Sequence, residues 1–306
     1  MAFQPRDFES RSSTSSDTRA NNTKLITKPS IINNSLIVKD LSLRYNRLIK
    51  NFMGKIIAVV NQKGGVGKTT TSVNLAAYLA HFGKEVLLVD LDPQANATSG
   101  LGLDHRALEA GIYESLVSGK PVRNIIKRTL QDKLRVAPAT LSLAGAGVEM
   151  VSLENREFRL GMILEDIRGD FDFIIIDGPP SLGLLTVNSL VAADEVLIPI
   201  QSEYFALEGL SQLLETISLV QGNLKPELGI MGAVITMFDK RNKLSEAVME
   251  ELYKFFPNRI FRSVIPRSVR LAEAPSYGRS ILQYDPKSRG AKAYENLARE
   301  ILSSHK

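Results

Sequence analysis

The run Asn61-Gln62-Lys63-Gly64-Gly65-Val66-Gly67-Lys68-Thr69-Thr70 decides how this chain folds. It lies between a short apolar stretch, Lys55 to Val60, and an amphipathic one in which Val73, Leu75, Ala76, Leu79 and Ala80 form a helical stripe. Strand, glycine loop and helix in that order are the setting of a phosphate-binding loop. Glycines at 64, 65 and 67 let backbone N–H groups turn inward on phosphate oxygens with no side chain in the way. Lys68 brings a point charge to the terminal phosphates, Thr69 brings a hydroxyl to Mg²⁺, and the helix N-terminus adds its dipole. The pattern G-x-x-x-x-G-K-[ST] asks for glycine at position 62, where this chain has Gln62, and an additional lysine, Lys63, precedes the glycine pair. A glycine-rich turn with incidental lysines is the competing reading, and the flanking strand and helix count against it.

Beyond the loop the pattern is regular. Apolar runs recur at Val86 to Asp90, Leu134 to Ala137, Phe173 to Ile176, Val196 to Pro199, Gly229 to Thr236 and Ile260 to Val264. Helical patterns lie between most of them, at Leu141 to Met150, Phe158 to Ile167, Leu207 to Val220 and Ser245 to Phe255. Near-continuous apolar strands linked by helices predict an α/β fold, a doubly wound and mostly parallel sheet with helices on both faces. Ligands of such sheets bind at the carboxyl ends of the strands, where the loop at 61–70 also falls. Residues 53–306 show no internal repeat and no linker, which predicts one domain.

Composition removes several function classes. With 306 residues and 44% hydrophobic content the chain can bury a sizeable core, and it has no cysteine, so disulfides, thiolate metal sites, iron–sulfur clusters and cysteine nucleophiles are excluded. Three separated histidines, His81, His105 and His305, make a histidine metal centre unexpected. No run of eighteen apolar residues predicts a membrane span. The net charge of +5 is carried by residues 1–52, which hold nine Lys/Arg and four Asp/Glu, while residues 53–306 hold 29 of each. Within the latter, residues 53–224 are acidic (14 basic, 20 acidic) and residues 225–306 are basic (15 against nine).

Residues 1–52 predict a disordered basic extension, rich in Ser, Thr, Asn and Arg up to residue 30. Residues 35–52 carry Leu36, Val38, Leu41, Leu43, Leu48 and Ile49 at spacings that suit a short amphipathic helix. A basic arm, a targeting peptide and upstream sequence before a start at Met53 are the three readings of the segment; the last is favoured because Met53-Gly54-Lys55 begins directly at the first strand, and the four acidic residues weigh against a transit peptide.

Two acidic strand ends complete the sequence-level site. Val86-Leu87-Leu88-Val89-Asp90 is followed by Leu91-Asp92-Pro93, and the most apolar strand ends in Asp177 before Gly178-Pro179-Pro180-Ser181. Carboxylates at these places face the phosphates: Asp177 is placed to hold Mg²⁺, often through water, and Asp92 to orient an attacking water and to join the metal site. The competing reading of each is an aspartate that caps a turn or helix.

These segments, taken together with Pro199-Ile200-Gln201-Ser202-Glu203-Tyr204-Phe205-Ala206-Leu207-Glu208-Gly209-Leu210 and Ile265-Pro266-Arg267-Ser268-Val269-Arg270-Leu271, resemble in order and spacing the ParA/Soj-type chromosome and plasmid partition ATPases. The likeness runs from Met53 to about Leu302. Lys63 resembles the signature lysine of the deviant Walker A group that also includes MinD and the nitrogenase iron proteins. The resemblance implies an ATPase with ATP and Mg²⁺ as ligands. It implies catalytic roles for Lys63, Lys68 and Asp92, and nucleotide contacts from residues 63 to 70, Val66 and Thr70 among them, and from Pro266, Arg267 and Ser268. It also implies an ATP-dependent homodimer in which Lys63 crosses to the nucleotide of the partner, whereas in a monomer Lys63 would be an idle surface charge.

The basic last third contains Lys240-Arg241-Asn242-Lys243, Arg262, Arg267, Arg270 and Arg279. A solvated basic face is one reading. In the resemblance Arg241 and Arg270 match positions that bind DNA without sequence preference, which needs only Lys and Arg on one surface. No arginine flanks the loop in cis, so a ParB-type centromere-binding partner is the implied accelerator of hydrolysis, and a cytoplasmic, nucleoid-associated location is implied with it. A MinD-like positioning ATPase for a protein or membrane-associated cargo is the alternative; Tyr294 to Ile301 reads instead as a packed last helix. A metabolic ATP-dependent synthetase would need a second-substrate signal, which the sequence lacks.

Overall fold

Strands β1 (Lys55–Val59), β2 (Val86–Asp90), β3 (Lys127–Arg128), β4 (Leu134–Ala137), β5 (Phe173–Asp177), β6 (Glu195–Gln201) and β7 (Gly229–Thr236) form one sheet in the order β3-β4-β2-β5-β1-β6-β7. All neighbours pair in parallel except β3, which runs antiparallel to β4. The computed structural model describes residues 54–203, 206–239, 241–257 and 259–304; the extension expected at 1–52 and Lys240 lie outside them.

The helices are α1 (Lys68–His81), α2 (Asn96–Gly100), α3 (Ile112–Leu116), α4 (Leu143–Glu149), α5 (Arg159–Glu165), α6 (Leu184–Ala192), α7 (Ala206–Asn223), α8 (Lys243–Phe255), α9 (Val269–Glu273), α10 (Ile281–Tyr284) and α11 (Arg289–Ser304). Successive strand residues point to opposite faces, and here both faces are covered. Ile56, Ala58, Ile174, Ile176, Val196 and Ile198 pack with Leu116, Leu143, Leu164, Leu190, Leu213 and Leu252, from α3 to α8. Ile57, Val59, Ile175, Leu197 and Val234 pack on the other side with Leu75 and Leu79 of α1 and Tyr294, Leu297 and Ile301 of α11. Central strands with no solvent face carry no alternation, which is why they read as unbroken apolar runs.

The structure departs from expectation in three places. The strand expected at Ile260 to Val264 does not form; the segment from Ile260 to Pro266 meets β7 and Phe238 at the isolated parallel bridges Ala233↔Ile260 and Phe238↔Pro266 and through the Ile265 N–H, which donates to the Ile235 carbonyl at 2.8 Å. Between those contacts the N–H groups of Arg262 and Ser263 donate to the Glu300 carboxylate at 2.9 and 3.2 Å instead of to β7. Strand β3 was not expected: Lys127 and Arg128 are exposed and carry no apolar pattern. Helix α4 starts at Leu143 rather than Leu141, which is left 64% exposed.

Candidate active site

The parallel register brings three strand ends to one height. Val59 of β1 lies beside Asp177 of β5, and Asp177 lies beside Asp90 of β2. The glycine loop therefore leaves β1 next to two buried carboxylates. It enters α1 through Gly67, whose φ of 87 belongs to the left-handed region where a side chain would be strained. Thr236, the last residue of β7, fixes the loop from the other side by donating its hydroxyl to the Val66 carbonyl at 2.8 Å.

Lys68 turns inward. Its ammonium donates to the Lys63 carbonyl at 3.0 Å. Burial depresses its pKa, and the Asp177 and Asp92 carboxylates oppose that shift, so an amine is held among acidic groups at the foot of the loop. Lys63 turns outward: its ammonium pairs with Glu203 Oε2 at 3.0 Å, and its N–H donates to Asn61 Oδ1 at 2.9 Å. The idle surface lysine expected of a monomer is thus an ion-paired one, because β6 ends beside the loop and delivers Glu203 to it.

Asp177 is fully buried and accepts from Ser72 Oγ at 2.8 Å, with the Thr69 hydroxyl close enough to favour its charged form. Burial and the neighbouring Asp90 push its carboxyl well above the usual range. Its second oxygen, Oδ2, is buried with no hydrogen-bond partner, an expensive arrangement for a carboxylate. Above the loop, a Cβ added at Gly64 or Gly65 would meet nothing within 4 Å. An orphaned acidic oxygen beside the Thr69 hydroxyl, under a loop with open space over its glycines, fits a hard cation and the phosphates it accompanies. Thr69 and Asp177 are the residues that would hold Mg²⁺, and the ion would supply positive charge to phosphate oxygens.

Asp92 sits two residues beyond β2. Its Oδ1 accepts from the Gln94 N–H at 3.0 Å, so one oxygen makes the turn-capping bond that the competing reading foresaw. Asp90 braces it: Asp90 Oδ1 accepts the Asp92 N–H, and Oδ2 accepts from both the N–H and hydroxyl of Thr98 at 2.7 Å. The loop carrying Asp92 is tied to the start of α2 by these bonds.

The family described as "AAA domain" matches residues 54–230. Over 252 residues the chain is 56% identical to the sporulation initiation inhibitor protein Soj of Bacillus subtilis, covering 82% of this chain and 100% of that protein. It is 51% identical to the chromosome partitioning protein ParA of Myxococcus xanthus, over 82% of this chain and 88% of that one. The chain belongs to the ParA/Soj family of P-loop ATPases. Among solved structures, cobyrinic acid a,c-diamide synthase from Mycobacterium smegmatis with bound ADP and magnesium superposes with a TM-score of 0.73 at 38% identity, covering 82% of this chain and 94% of that one. As a ParA/Soj-family protein the chain binds and hydrolyses ATP with Mg²⁺.

Around this ParA/Soj core the remaining residues singled out in the sequence take three positions. Arg267 donates its N–H to the Phe238 carbonyl at 3.0 Å, which lays Pro266 to Ser268 along the chain that leaves β7 beside the loop, and the Ser268 hydroxyl caps α9 by accepting from Leu271 N. Arg241, 89% exposed, forks onto both oxygens of Asp239 at 3.0 and 2.7 Å. Arg270, on α9, pairs with Glu273 at 3.1 Å and Asp285 at 3.5 Å. The sequence reading missed Ser72, Glu203, Asn61 and Asp90. Ser72 has a local signal, since it stands four residues after Lys68 on the helix face that meets β5. Glu203 and Asn61 have none, because their roles depend on the β1–β6 pairing.

Proposed function

We propose that this ATPase segregates DNA. In this reading ATP closes two copies into a sandwich dimer, with Lys63 of each reaching the nucleotide of the other. The joined surface containing Arg241 and Arg270 binds DNA without sequence preference. Hydrolysis, accelerated by a ParB-type centromere-binding protein, releases the dimer, and the protein works in the cytoplasm on the nucleoid. The observation that carries the reading is the position of Lys63: the loop turns Lys68 inward and presents a second, outward-facing lysine whose half-exposed ammonium is held by the ion pair with Glu203. The identity of 56% over the full length of the Soj relative supports the same reading against a synthase, for which the likeness is 38%.

Within a protomer, Lys68 holds the terminal phosphates, Asp92 orients the attacking water, and Pro266 to Ser268 flank the base. Among the described residues no helix is long and apolar enough to cross a membrane. The apolar stripe of α11, with Tyr294, Leu297 and Ile301 fully buried, is taken up by packing on α1.

The test is a gel shift with DNA of unrelated sequence, run in ATP and in ADP. A shift in ATP that is lost in ADP is expected. No shift in either nucleotide would overturn DNA as the cargo and leave a positioning ATPase for a protein or membrane-associated cargo.

A further inference from the structure

In a single protomer Lys63 is held at three atoms. Its N–H donates to Asn61 Oδ1 at 2.9 Å, its carbonyl accepts from Lys68 Nζ at 3.0 Å, and its ammonium pairs with Glu203 Oε2 at 3.0 Å. Asn61 is anchored in turn, donating through Nδ2 to the Pro199 carbonyl at 2.7 Å. The backbone of residue 63 is therefore pinned to β6 and to the loop, and only its side chain is free to swing. What holds that side chain is one carboxylate, 140 residues away in sequence, two residues past the end of β6. Glu203 is itself steadied there, its other oxygen accepting from Gln201 Nε2. The pair is open to water, with side-chain exposures of 38% and 45%, so it is weak enough to exchange.

We propose that Glu203 is a positioning residue: it holds Lys63 in cis in the single protomer, and closure of the ATP dimer replaces its carboxylate by phosphate oxygens of the nucleotide in the other copy. This rests on the dimer reading above. The Lys63 ammonium has three N–H donors, so carboxylate and phosphate compete for it through their mutual repulsion rather than by exclusion, and closure is favoured where the phosphate displaces Glu203. A triphosphate carries more charge than a diphosphate, and the contact in cis raises the threshold that separates them. Each dimer breaks two such pairs, so removing the carboxylate acts twice in one equilibrium. For exposed ion pairs of ordinary strength this amounts to a roughly two- to thirty-fold fall in the dimer dissociation constant.

The experiment compares the full chain with Lys63→Gln, Glu203→Gln and the double variant. Molecular mass is followed by sedimentation across protein concentrations, in a non-hydrolysable ATP analogue with Mg²⁺ and in ADP. Glu203→Gln is expected to dimerise about two- to thirty-fold more tightly in the analogue, to stay monomeric in ADP, and to bind ADP as the unaltered chain does. Lys63→Gln and the double variant are expected to stay monomeric. A residue with a merely structural role would weaken dimerisation or ADP binding when altered, so tightening is a readout that such a role does not produce. If Glu203→Gln dimerises no more tightly while Lys63→Gln is monomeric, the holding role is overturned and the dimer reading stands. If Lys63→Gln dimerises like the unaltered chain, the dimer reading fails and the role of Glu203 fails with it.

Discussion

Lys68 and Lys63 carry the same charge five residues apart, and burial separates their tasks. Lys68 is buried, its ammonium desolvated and flanked by Asp177 and Asp92, so a phosphate arriving there replaces lost solvation with a charge-assisted bond. Removing such a bond costs about 1.5–3 kcal/mol, and Lys68→Ala is expected to weaken ATP binding by roughly ten- to a hundredfold, measured by titration of a fluorescent ATP analogue. Asp92 differs because it stands outside the strand, with one oxygen committed to the Gln94 N–H. Asp92→Ala is expected to bind ATP with unchanged affinity and to hydrolyse it about 10²- to 10⁴-fold more slowly, leaving a long-lived dimer on DNA. Steady-state turnover checks it, and normal hydrolysis would remove Asp92 from the catalytic assignment. The two aspartates that read alike in sequence differ in surroundings: Asp177 is sealed under α1 with an unpaired oxygen, whereas Asp92 lies on a turn.

At the scale of elements, the sheet was legible because its central strands are buried on both faces and spell themselves out, and β2, β4 and β7 match their apolar runs end to end. What was illegible depends on the neighbour rather than on the segment. Lys127-Arg128 becomes a strand only because β4 offers it an edge, and Ile260 to Val264, apolar enough to be one, loses its ladder to Glu300, whose carboxylate takes the Arg262 and Ser263 N–H groups. The candidate site divides in the same way. Residues 63–69 declare themselves locally, whereas Glu203 is known only once β6 is laid against β1. A second contact of this kind joins the helix after Asp92 to the turn after α9: a Cβ at Gly278, whose φ is 62, would lie 2.6 Å from the Gly102 Cα. Backbone on both sides leaves nothing flexible to yield. Gly278→Ala is therefore expected to destabilise the protein by about 1–3 kcal/mol, seen as a lower urea midpoint, whereas Gly83→Ala, equally left-handed but facing open space, should cost only its backbone strain of about 1 kcal/mol.

For the whole molecule the question, on the proposed reading, is how a chain whose residues 53–306 are electrically neutral would hold DNA. Its charge is divided, with residues 225–306 carrying 15 basic groups against nine acidic ones. Arg241 and Arg270 belong to that part, and each is already paired, with Asp239 and with Glu273 and Asp285. These exposed pairs are weak, so phosphate can replace the carboxylates, and every carboxylate set free takes up a cation from solution. On the proposed reading, two arginines per protomer would make four phosphate contacts in a dimer, for which the log–log salt dependence of binding would be roughly −3.6; the cations taken up by the released carboxylates would make the slope shallower than that. Arg241→Glu combined with Arg270→Glu removes all four contacts and adds four negative charges where the backbone would lie. The double variant is expected to lose retention on DNA of unrelated sequence while sedimenting as a dimer in ATP, because neither side chain lies in the glycine loop. Retention at the unaltered level, or an unchanged salt slope, would place the DNA surface elsewhere; loss of the dimer together with retention would show that these arginines serve closure rather than DNA.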